Sequence, residues 1–253
     1  MAYAQHQSNY NAFFSIRKTY PQATDANVGV HLFSKETIPG LQTSTRFYKN
    51  RNGEWLQLTG TFIESLDDVN ITNIQIQEPK ELGNGTTIPE QIVIDVNSPT
   101  PGKIDRIQMS SDSKWGNDFA RKIINADLTK PLTIKPFSFV PDDSDKRIEG
   151  VSVYQNGVKI EDRYREKDKK GNYKNINGVE EYDELAEKAK GIENEKLRSN
   201  AWKTYFTTVN VFVVEKMMEF VNNTTMSSKT EVTDTDVPEE YPEDEINPED
   251  VPF

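Results

Sequence analysis

Apolar residues recur at every second position through much of the first 160 residues, the spacing of half-buried strands. Ala12 to Arg17 is a short apolar run, and Gln42 to Lys49 alternates before the turn Asn50-Arg-Asn-Gly53. A long strand follows over Glu54 to Glu64, then the strictly alternating Asn70 to Gln77. Gln91 to Val96 and Lys103 to Met109 are strands parted by the Pro99-Thr-Pro-Gly102 turn. Further strands are predicted at Leu132 to Val140, Ile148 to Gln155 and Val158 to Tyr164. The last two join through Asn156-Gly157, a pair suited to positive φ at both positions of a type I′ turn.

Helical spacing interrupts this pattern at Ser113 to Asp127, where Trp115, Phe119, Ile123 and Ala126 share a stripe and Ser113 can cap. Glu180 to Lys190 fits a short charged helix. Trp202 to Val221 fits a longer amphipathic one whose stripe runs through Trp202, Phe206, Val209, Phe212 or Val213, Met217 and Phe220. Packing onto the body explains that stripe, and so does a subunit contact. The expected fold is mainly β, an OB-fold-like β-barrel with one inserted helix, a C-terminal amphipathic helix and a disordered acidic tail. A helix between the third and fourth barrel strands followed by a terminal hairpin is the OB order, though other small barrels share it. Residues 1–221 are read as one elaborated domain and 222–253 as the tail.

Charge sharpens the division. Of 41 acidic residues, ten lie between Glu231 and Phe253, where there is no Lys or Arg; the other 31 face all 30 Lys and Arg. The net −11 therefore resides in the tail, and residues 1–230 sit at −1. A near-neutral body is free to carry a basic face toward a nucleic acid. With no Cys there is no disulfide framework or thiolate metal site. No apolar stretch approaches bilayer length and Met1 to Tyr20 does not read as a signal peptide, so a cytoplasmic protein is expected.

Three clusters interleave cations with rings, the residue types that track phosphates and stack bases. The first is Arg46, Tyr48, Lys49, Arg51 and Trp55 around one hairpin, where Arg46 and Tyr48 oppose Phe47. The second is Lys103, Arg106, Arg121 and Lys122, beside Lys114 and a Trp115 read as core. The third combines Tyr154, Lys159, Arg163, Tyr164 and Arg165 with the charged loop to Lys174, seven cations against four anions from Lys159 onward. Solvated hairpins and salt-bridged loops account for the same residues. Catalysis has little footing: there is no Gly-rich phosphate loop, and His6 and His31 are the only histidines. The acidic groups Asp67-Asp68 and Asp142-Asp143-Ser-Asp145 read as solvated turns. No enzyme activity, cofactor or metal is expected.

The ending Glu249-Asp250-Val251-Pro252-Phe253 resembles the acidic tip of bacterial single-stranded DNA-binding proteins (SSBs), with Val251 where Ile is usual; Phe-terminated acidic tails also occur in phage replication proteins of this kind. The body is longer than one bacterial OB domain and lacks a Gly/Gln-rich linker, which points to a phage-type or divergent member. The resemblance implies a bacterial or bacteriophage protein that coats single-stranded DNA in replication, recombination and repair. It also implies that Glu249 to Phe253 dock partners such as a polymerase, helicase, primase or nuclease, with a homo-oligomer open. The alternative is a phage interaction or decoy protein that uses the tip on host replication factors without touching DNA.

Overall fold

A computed structural model describes residues 10–24, 28–50, 52–81, 87–142, 145, 147–164, 179 and 182–229. The elements run β1 (Tyr10–Thr19), β2 (Gly29–Ser34), β3 (Thr43–Lys49), β4 (Trp55–Ile63), β5 (Leu66–Val69), β6 (Ile71–Gln77), β7 (Lys80–Glu81), β8 (Thr87–Ile88), β9 (Gln91–Asn97), β10 (Ile104–Ser110), α1 (Lys114–Ile123), β11 (Leu132–Phe139), β12 (Ile148–Gln155), β13 (Val158–Lys159), α2 (Asp183–Lys190) and α3 (Glu195–Lys229). The chain is mainly β, as its alternation predicts.

Seven strands form one sheet in the order β3-β4-β2-β1-β10-β9-β6, four form a second in the order β13-β12-β11-β5, and β7 pairs β8. The path from β5 to β6 serves both large sheets and bends at Asp68–Asn70, where Asp68 has φ 51°. Asn70 N–H donates to Asn97 Oδ1 at 2.5 Å and Asp68 N–H to Thr133 Oγ1 at 3.3 Å, so the bend is tied to both sheets. From it the chain runs β6, β9 and β10 as an antiparallel meander, crosses α1, and returns through the β11–β12 hairpin so that β11 pairs β5.

A closed barrel was expected, and among the described residues the sheets are open. The reason lies at β10. Its outer edge is occupied by β1 in parallel register, Phe13 opposite Arg106 and Ser15 opposite Gln108, while the second edge of β12 pairs β13. β10, with β1 on one side and β9 on the other, has no edge left for β12, of which β13 covers only Tyr154 and Gln155.

The core lies between the two sheets and the helices. Ala12, Phe14, Ile16, Leu32, Ile92, Ile94, Val96, Ile107 and Met109 come from the large sheet, and Leu132, Ile134, Val151 and Val153 from the small one. Phe119, Ala120 and Ile123 of α1 join them, with Ser113 capping the helix by accepting from Gly116 N–H at 3.0 Å. On α3 the fully buried stripe is Tyr205, Val209, Val213 and Met217, spaced four apart and continued by Val221. It is rotated from the expected stripe: Phe206 is 44% exposed and Tyr205 takes its place inside. The helix also starts earlier and ends later than its apolar pattern, at Glu195 and Lys229. Asn156 and Gly157 have φ 51° and 74°, the I′ turn expected of that pair. β13 is shorter than expected, ending at Lys159 because Ile160 turns into the core. No helix among the described residues is long and apolar enough to cross a membrane.

Candidate nucleic-acid interface

The alternation that buries Ala12, Phe14 and Ile16 sends Phe13, Ser15 and Arg17 to the opposite face of the large sheet. Register extends that face strand by strand. Arg106 and Gln108 of β10 stand beside Phe13 and Ser15, with Asp95 and Val93 of β9 next, then Asn73 and Gln75 of β6. In the other direction Ser15 faces Phe33 and Arg17 faces His31 on β2; Phe33 faces Phe62 on β4, and Arg46 and Tyr48 of β3 pair Leu58 and Leu56 on the same side. One face therefore carries Phe13, Phe62, His31 and Tyr48 among Arg17, Arg46 and Arg106, with Phe33 buried between them at 3% exposure.

The rings and cations touch. Phe33 and Phe62 have centroids 4.9 Å apart, His31 meets Phe62 edge-on at 5.9 Å, the Arg46 guanidinium lies 5.3 Å from the Phe62 centroid, and that of Arg106 lies 6.0 Å from Phe13. Arg46 Nε is buried and makes no hydrogen bond. Arg106 is held by Asp95 through a fork, Nε to Oδ1 at 2.6 Å and Nη2 to Oδ2 at 2.9 Å, so much of its charge is compensated at home. Burial of the His31 ring, reinforced by the nearby Arg46 charge and opposed by Glu64, lowers its pKa below the ordinary 6.5. A hollow bounded by Phe13, Ser15, Arg17, Phe33, Lys35, Glu36 and Gln108 lies on this face.

The sequence clusters fare unequally. Arg46 and Tyr48 belong to the face. Lys49 and Trp55 pair across the hairpin on the reverse side, where the Lys49 ammonium sits 4.5 Å from the indole centroid and Trp55 meets Tyr20 edge-on at 4.9 Å. The β3–β4 register thus divides the first cluster between the two faces of the hairpin. Lys103 lies just before β10, half-buried. Arg121 and Lys122, expected among the strand-contacting cations, are buried instead, because α1 is packed against both β12 and α3. Arg121 Nε donates to Asn117 Oδ1 at 2.7 Å and its guanidinium lies 5.9 Å from the Tyr164 ring. Lys122 Nζ donates to Asp118 Oδ2 at 2.6 Å and to Val151 O at 2.7 Å. Tyr164 packs against Phe212, centroids 5.9 Å apart. Tyr154 and Lys159 pair across the β12–β13 hairpin, and Arg163 is exposed beyond it. Arg51, Arg165 and the tip Glu249, Asp250, Val251, Pro252 and Phe253 lie outside the described residues, as does most of the charged loop to Lys174.

Among the described residues no group of three or more His, Asp or Glu is placed to hold a metal ion. Comparison with protein-family models, curated proteins and solved structures returns no match. Sequence reasoning missed Phe13, Arg17, His31, Phe33 and Phe62. Their signal was available in the alternation of Asn11 to Lys18 and of Gly29 to Ser34. What it could not supply was the parallel pairing of β1 with β10 that brings Phe13 beside Arg106.

Proposed function

We propose that the chain binds single-stranded DNA without catalysis, using the outer face of the large sheet, and recruits replication and repair proteins through its acidic, Phe-terminated end. The observation that carries this reading is the run of Phe13, His31 and Phe62 flanked by Arg17 and Arg46 across adjacent strands, with the buried Phe33 packed against Phe62 as their support. Rings accept bases of any sequence by stacking, and neighbouring cations displace counterions from the phosphates. Connectivity supports it. A bent strand shared by two sheets, a meander, a crossing helix and a returning hairpin follow the strand order of an OB fold, whose second and third strands bear the oligonucleotide. In that order β9 and β10 are those strands, and they lie within the proposed face. The sheets stay open where β1 pairs β10. The split between a body at −1 and a tail carrying the rest of the charge fits a strand-binding body with a tethered recruiting end. Bacterial or phage origin and a cytoplasmic setting belong to the same proposal.

The test is anisotropy of a labelled mixed-sequence strand. Phe13→Ala, at a ring 37% exposed, is expected to weaken binding by about 1 to 3 kcal/mol with little loss of stability. Arg17→Ala should lower affinity and flatten the salt dependence by about 0.7 in slope. Deleting Phe253 should leave strand binding intact and abolish capture of the partner. A wild-type protein that captures a replication factor through Phe253 yet binds no strand would support the decoy alternative instead.

A further inference from the structure

The hollow on the proposed face contains one group at odds with phosphate binding, the carboxylate of Glu36, and its setting is built. Oε2 accepts from Ser34 Oγ and lies 3.5 Å from Phe13 N–H. Glu36 N–H donates to Ser34 Oγ at 3.2 Å, and its carbonyl accepts from Thr61 Oγ1 at 3.0 Å. The first two contacts hold the carboxylate beside Phe13 and the last two anchor the Glu36 backbone, and among the described residues Oε1 meets no donor. The Gln108 amide and the Lys35 ammonium, on the same hollow, likewise make no hydrogen bond among the described residues. The hollow thus offers a ring for stacking, cations at Arg17 and Lys35 for phosphate, and a fixed oxygen that can only accept.

We infer that this hollow is a base-reading pocket that prefers a base bearing an exocyclic amino group over thymine, a refinement that rests on the single-strand reading above. Cytosine, adenine and guanine each present an N–H₂ on the edge that a splayed base turns toward protein, and a carboxylate accepts from it as it does from cytosine N4. Thymine offers one imino N–H between two carbonyl oxygens, both of which a carboxylate repels. The repulsion makes the pocket selective, because stacking on Phe13 alone would accept every base.

Competition binding with dC and dT homo-oligomers of equal length at neutral pH tests the pocket, since every register then presents the same base. Wild-type protein should bind oligo(dC) about three- to tenfold more tightly than oligo(dT). Glu36→Gln keeps the shape and an acceptor for Ser34 while removing the anion. It should raise affinity for both strands and bring their ratio close to one, because an amide serves either base. Equal or tighter wild-type binding of oligo(dT), or a dC preference that survives in Glu36→Gln, overturns the pocket while leaving the single-strand reading standing. Failure of the wild type to bind either strand overturns that reading, and the pocket with it.

Discussion

Replacing Lys122 by methionine separates charge that holds the fold from charge that meets a ligand. Lys122 Nζ bridges Asp118 Oδ2 at 2.6 Å and Val151 O at 2.7 Å, while Asp118 Oδ2 also accepts from Val151 N–H at 2.7 Å. The triangle fastens α1 to β12. The lysine side chain is 8% exposed and that of Asp118 24%, so the pair lies at the edge of the interior. Methionine fills the volume but leaves a carboxylate without its cation and a buried carbonyl without its donor. Breaking one side of such a pair costs about 3 to 5 kcal/mol, and the partial access of water to Asp118 puts the expectation near 3. For a domain of this size that lowers Tm by about 6 to 12 °C. Calorimetry and strand-binding anisotropy on the same samples are the assay, with affinity below Tm expected to match wild type. In Lys122→Met with Asp118→Asn the uncompensated charge is gone and Val151 N–H keeps an acceptor, so more than half of the lost stability should return. The reasoning is refuted if Lys122→Met leaves Tm unchanged, or if it weakens strand binding without destabilising the fold.

Three further expectations follow from the same structure. A Cβ on Gly60 would lie 2.3 Å from Ser34 O and 2.5 Å from a Phe33 ring carbon, so Gly60→Ala should cost about 1 to 3 kcal/mol in chemical denaturation; an unchanged midpoint would show that β2 and β4 are not packed so closely. Because folding lowers the His31 pKa, the folded chain binds fewer protons than the unfolded one and loses stability as pH falls from 6.5, whereas the imidazolium adds a cation to the face and strand affinity should rise. Opposite pH trends in Tm and affinity, both absent in His31→Gln, are the signature; parallel trends would contradict it. Burial of the half-buried Glu149 raises its pKa, but the bond and charge of Lys18, with Lys114 and Ser138, outweigh it and bring the net value below 4.5. Its contribution is complete above pH 4.5 and is lost as pH falls through the depressed value, so acid denaturation profiles should be shallower for Glu149→Gln than for wild type.

Local pattern made most elements legible. The alternation in Ile71 to Gln77, the Asn156-Gly157 turn and the Ser113 cap each carry their cause in adjacent residues, and each is found where that cause puts it. Gly29 to Ser34 carries only a weak signal, because its alternation spans six residues with a central His and a terminal Ser. Arg121 and Lys122 were misplaced for a physical reason: a helix with cations on one face reads as half-solvated, but α1 is enclosed by β12 and α3, and its cations are matched by Asp118, Asn117 and Asp162 from within. The candidate face depended most on tertiary structure. Phe13 and Arg106 are parallel neighbours across more than ninety residues of chain, and nothing local encodes a pairing at that distance.

The central claim is that the outer face of the large sheet binds single strands, and titrating labelled single-stranded and duplex DNA of one sequence at several salt concentrations tests it most directly. The account predicts tight binding of the single strand, a linear fall of log affinity with log salt, a requirement for a minimum strand length, and weaker binding of duplex, whose bases are not free to stack on Phe13. No binding of the single strand at low salt, or equal binding of both forms unaffected by Phe13→Ala, would contradict it.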